Sequence, residues 1–126
     1  MKALAFFFAS SFIVSPVFSA TAAECLKKVD AARASLLAFK DSKVKEDEVH
    51  QTAKDVSTCL ESLDSKGKNQ KKDDVVSAWK AFRAVREERL VPAIKAGNKV
   101  EADKLATDNK ANLDKTKNAL NAISGD

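Results

Sequence analysis

Residues 102–123, ADKLATDNKANLDKTKNALNAI, decide the fold. Ala102, Ala106, Asn109, Leu113, Thr116, Leu120 and Ile123 recur at spacings that alternate between four and three. One side of an α-helix carries all seven. Toward the N-terminus, Gly97-Asn98 marks the end of a preceding helix, as a glycine just past a helix end does. That helix is expected from about Asp73, because Asp73 and Asp74 suit the positive end of a helix dipole. Its apolar stripe is Val75, Trp79, Phe82, Leu90 and Ala93, with Trp79 and Phe82 read as core. The polar stretch 64–72, with Gly67, reads as a loop. Before it, Val49, Ala53, Val56, Leu60 and Leu63 repeat at four, three, four and three. The first helix has Leu26, Val29, Leu36 and Leu37 on one side and breaks at Asp41-Ser42-Lys43.

The result is an all-α chain, with helices expected at about 24–40, 46–63, 73–96 and 100–123. Short connections between amphipathic helices predict an up-down-up-down antiparallel four-helix bundle, one domain over 24–126. Seams this regular suit crossings of about 20°. Only three Gly, two Pro and no Tyr agree with helix throughout.

The first 23 residues read as a signal peptide. Met1-Lys2 is a basic start, and an apolar run from Ala3 to Phe18 leads to the small-residue pattern Ala20-Thr21-Ala22. The run is short of the roughly 20 residues that span a bilayer, and Pro16 interrupts it. Cleavage after Ala22 or Ala23 is therefore expected, leaving an unanchored mature chain in the periplasm or outside the cell. Losing Lys2 lowers the formal charge from +4 to +3, too mild to imply a nucleic-acid partner.

Export makes the two cysteines a pair. Cys25 and Cys59 each lie 17 residues from Ser42, at the centre of the first turn. Antiparallel helices rise at the same rate, so both sit about 25 Å from the turn and at one level. A Cys25–Cys59 disulfide clasping the open end of this hairpin is predicted.

Cofactor chemistry is not signalled. Covalent haem attachment needs Cys-x-x-Cys-His, which is absent. The only Met, a candidate haem ligand, is Met1. A di-iron site needs two Glu-x-x-His units, and the chain has one His, His50, read as a solvated helix residue. No metal, no cofactor and no catalytic residues are assigned, and the chain is read as a non-enzyme.

The anomaly lies in polar residues on apolar faces. Counted at about 100° per residue from Val75, Arg86 falls at about +20° and Arg89 at about −40°, inside the stripe. Arg33 stands between Val29 and Leu36, and Asn109 stands in the seam of the last helix. Distances from the two turns place Arg33, Arg86, Arg89 and Asn109 in one slab, roughly 13–18 Å below the tip. Burying unpartnered guanidinium groups is costly. Either these residues line a pocket or dimer groove for a small anionic ligand, or their stems pack at the core edge while their heads reach solvent or Asp108, Glu87 or Glu88.

Trp79-Lys-Ala-Phe82-Arg83-Ala-Val-Arg86-Glu-Glu-Arg89-Leu90-Val91-Pro92-Ala93-Ile94-Lys-Ala96-Gly97-Asn98, continued to Leu105, resembles the ligand-sensing four-helix bundle of bacterial chemoreceptors. Shared features are an arginine-rich turn, a Leu-x-Pro step and Ala-Gly-Asn; the family then opens its fourth helix with Glu/Asp-x-Ala-x-x-Leu, where this chain has Glu101-Ala102-Asp103-Lys104-Leu105. The resemblance implies sensing of small acids through arginines, often in a homodimer, with Arg33, Arg86 and Arg89 as the residues here that could do so. Helices 1 and 2 match only in pattern, and an internal disulfide is not typical of the family. No second transmembrane helix follows Ile123, so a free-standing sensor-like form is implied. The expected partner is a small anion or a protein. The other reading is a chaperone-like or inhibitor-type interaction protein.

Overall fold

The computed structural model describes residues 19–125, and the expected signal peptide falls mostly outside them. The described chain is helical. Helix α1 is Ala22–Lys40 and α2 is Glu46–Glu61. Helix α3 begins as Asn69–Val85, passes through a π-helical turn, Arg86–Leu90, and ends as Val91–Lys95. Helix α4 is Lys99–Ser124. No helix among the described residues is long and apolar enough to cross a membrane.

Local chemistry sets the ends. Thr21 caps α1 in a reciprocal box: its Oγ1 accepts from the Glu24 N–H at 3.1 Å, and its own N–H donates to Glu24 Oε1 at 2.8 Å. The turn after α1 needs a left-handed residue, and Ser42 takes φ +61° there. Glu46, Asp47 and Glu48 fill the first turn of α2, where the helix dipole favours acids. Gly97, at φ +73°, closes α3 as the Asn98 N–H reaches back to the Ala93 carbonyl at 3.0 Å. Asn98 then caps α4 through the Glu101 N–H at 3.2 Å.

Three helix ends differ from the sequence reading by two residues or more, and α1 begins at Ala22 rather than at about Glu24. Helix α3 begins at Asn69, four residues before the first expected acid, because Gln70, Lys71 and Lys72 are good helix formers even without an apolar stripe. Helix α2 ends at Glu61, and Leu63 leaves it to form a bridge with Ala20 while staying buried.

Contacts pair residues whose numbers rise along one helix and fall along its neighbour. Cys25 meets Cys59 and Ser35 meets Thr52 between α1 and α2. Asp30 meets Lys117 and Lys40 meets Asp103 between α1 and α4. Helix α3 packs chiefly on α4, and α1 on α2 and α4, whereas the backbones of α2 and α3 approach little. Long polar side chains bridge that gap: Trp79 Nε1 and Arg83 Nη1 both donate to Ser57 Oγ, at 3.1 and 2.8 Å.

The disulfide joins Cys25 to Cys59, with Cα atoms 5.6 Å apart. It lies within the larger of two apolar clusters, beside Val29, Val56, Trp79, Leu120 and Ile123. The smaller cluster, with Leu36, Val49, Leu90, Val91 and Leu105, occupies the end near the turns.

Candidate functional site

Between the two clusters runs a polar layer. On every helix it replaces an apolar step: Ser35 falls between Ala32 and Leu36, Thr52 between Val49 and Ala53, Arg86 between Phe82 and Leu90, and Asn109 between Leu105 and Leu113. Arg86 is fully buried. Its Nη1 donates to the Ala32 carbonyl at 2.8 Å and its Nη2 to the Val49 carbonyl at 2.9 Å. Ser35 Oγ and Thr52 Oγ1 stand 3.5 and 3.4 Å from Nη2 and 2.6 Å from each other. The Nε has no partner among the described residues. Burial pushes the Arg86 pKa down from the ordinary guanidinium range to about 10, with Glu87 opposing and Arg83 adding to the fall. At neutral pH the group stays cationic, held by carbonyl and hydroxyl oxygens rather than by a carboxylate.

The slab of three arginines does not converge. Arg33 and Arg89 are exposed, and only Arg86 is buried. The π turn explains the error for Arg89. Pro92 has no N–H for the Glu88 carbonyl, and its ring would crowd that carbonyl in a regular helix. The turn before it widens, and the Val91 N–H bonds the Arg86 carbonyl five residues back. One extra residue in a turn sets the following chain back by about 100°. Val91, on the far side of an unbroken helix, is thereby buried at 2 % exposure, and Arg89 swings off the stripe. Arg89 still meets Asn109, the two lining a cavity of about 120 Å³ with Glu101, Lys104 and Asp108.

Arg33 and Asn109 do meet at a common groove. It has a volume of about 230 Å³, lies between α1, α3 and α4, and is walled by Leu36, Leu37, Phe82, Leu90 and Leu113. Arg33 and Lys110 bring positive charge to it, and Thr107 a hydroxyl. Asn109 is 2 % exposed; its Nδ2 donates to the Phe82 carbonyl at 3.0 Å, and its Oδ1 accepts from Asn112 at 3.0 Å. Arg33 makes no ion pair among the described residues, while Lys110 is paired with Asp114 at 2.9 Å.

The sequence reading missed Leu37 as a site residue. It grouped Leu36 and Leu37 on one apolar side, yet Leu36 is 9 % exposed and Leu37 47 %. Adjacent residues lie about 100° apart, so a covered face centred on Leu36 reaches Leu37 only at its edge, and that was the available signal. His50 also differs from a freely solvated residue. Its Nε2 lies 2.9 Å from Glu46 and its Nδ1 3.6 Å from Glu87, in a chain of charges that Lys95 and Arg83 extend. Among the described residues no group of His, Cys, Asp and Glu is arranged to hold a metal ion.

The chain matches no protein-family model, no curated protein and no solved structure.

Proposed function

We propose that the chain is exported by a cleaved signal peptide and that its up-down-up-down bundle binds a small amphipathic anion, a carboxylic acid with an apolar body. The carrying observation is the groove in which an exposed, unpaired Arg33 borders a floor of leucine and phenylalanine. A carboxylate can take two parallel hydrogen bonds from one guanidinium. The apolar body would cover Leu37, whose exposed surface has no partner within the fold. A groove of about 230 Å³ suits a ligand below drug size. The reading is of a binding protein, with Arg33 and Lys110 bordering an apolar floor. The Cys25–Cys59 disulfide supports export, since such bonds persist in oxidising compartments. The chemoreceptor resemblance over residues 79–105 points the same way, toward a periplasmic or secreted sensor-like module that works alone or as a homodimer.

Melting temperatures measured with short- and medium-chain carboxylic acids test this. An upward shift with acids, smaller with the matching alcohols and lost in Arg33→Ala, is expected. No shift with any acid overturns the reading. A second reading, a non-enzymatic interaction protein, is favoured by Leu37 and Val100, which are 47 % and 82 % exposed.

A further inference from the structure

We infer that the export signal is cut between Ser19 and Ala20, upstream of the Ala20-Thr21-Ala22 pattern. The inference rests on the export reading above. Residues 20–22 belong to the folded domain. The Ala20 N–H donates to the Ser62 carbonyl at 2.8 Å, and the Ala20 carbonyl accepts from the Asp64 N–H at 2.9 Å. Together they make a bridge of Ala20 with Leu63. Thr21 supplies both halves of the box that starts α1, and its carbonyl accepts the Cys25 N–H at 3.1 Å. Ala22 is 1 % exposed, inside the cluster that surrounds the disulfide. A cut after Ala22 or Ala23 would fall in the first turn of α1 and remove its cap, a core side chain and the strap to the loop after α2.

The residues at the earlier bond suit the cut. Signal peptidase needs a small residue just before the scissile bond and a small or short aliphatic one two positions further back. Ser19 and Val17 meet this. A cut after Ala20 would put Phe18 at the second of those positions. Water adds across the Ser19–Ala20 peptide bond, leaving a carboxylate on Ser19 and an α-ammonium on Ala20. That ammonium keeps the donor that reaches Ser62, the residue capping the C-terminus of α2, where the helix dipole favours a cation.

Intact mass and N-terminal sequencing of the full chain expressed and exported in a bacterial host test the placement. The expected N-terminus is Ala20, and Ser19→Leu is expected to abolish that product. A start at Ala23 or Glu24 overturns the placement and leaves export standing. A start at Met1 overturns export and the placement with it. As a second measurement, chains beginning at Ala20 and at Glu24 are compared by thermal unfolding. A melting point several degrees lower for the shorter chain is expected, and equal melting points overturn the structural basis of the inference.

Discussion

The Nη2 of Arg86 donates to the main-chain carbonyl of Val49 at 2.9 Å, across a helix pair, α2 and α3, whose backbones approach little. The same guanidinium reaches the Ala32 carbonyl on α1, so one side chain from α3 ties together three helices. Both carbonyls lie within helices, where a carbonyl oxygen has a second lone pair free after its helical bond. A polar layer built this way fixes the relative heights of α1, α2 and α3, since guanidinium geometry permits little sliding.

Removing the side chain and removing its charge have different consequences at this position. Arg86→Ala is expected to lower unfolding free energy by about 2–4 kcal/mol, chiefly through the cavity it leaves. Arg86→Met fills the space and removes the desolvated cation, and is expected within about 1 kcal/mol of the parent. Arg86→Lys keeps a charge that cannot span both carbonyls, and is expected to be worse than Met. Urea unfolding of the three variants gives the order.

The disulfide closes a sequence separation of 34 residues. Loop-closure entropy then predicts about 4 kcal/mol of stabilisation, a large part of the 5–15 kcal/mol typical of a domain. Chemical denaturation with and without reductant should show a matching fall in midpoint. Counting thiols on denatured, unreduced protein should find none.

Ser57 Oγ accepts from both Trp79 and Arg83 and donates to the Ala53 carbonyl at 3.3 Å. Ser57→Ala leaves the indole N–H and one guanidinium N–H without that acceptor. A loss of about 1–3 kcal/mol is expected. Trp79 is the only tryptophan, so its fluorescence reports the change directly as a shifted emission maximum.

Acid should loosen two surface contacts. His50, and then Lys95, hold the Glu46 carboxyl below its ordinary value of 4.5, and Lys40 holds Asp103 below 3.8. A carboxyl whose pKa falls on folding stabilises the fold above its unfolded value and loses that contribution as pH drops through the folded value. Melting temperature is therefore expected to fall below about pH 4.5, and less steeply in Glu46→Gln with Asp103→Asn. Both carboxylates lie at the surface, so added salt should shrink the difference.

Much of the candidate site could be read from spacing. Arg33 and Asn109 stood out as polar residues on apolar faces, and both line the groove. Arg86 was marked for the same reason but belongs to the interior, where Ala32 and Val49 bind it. Arg89 was placed by an uninterrupted count of 100° per residue, which the π turn before Pro92 invalidates. The clue was Pro92 itself: its missing N–H demands some change in the turn before it, but not which change.

The sequence by itself determined four helices and the pairing of Cys25 with Cys59. Both follow from the period and rise of the α-helix, which each segment carries in its own backbone. The tertiary structure alone decided which arginine is enclosed, which of Leu36 and Leu37 stays exposed, and that Ala20–Ala22 is packed against Leu63 and the disulfide. Those outcomes depend on what stands opposite each residue. A helix period says that a face exists, and only the neighbouring helices say how far it is covered.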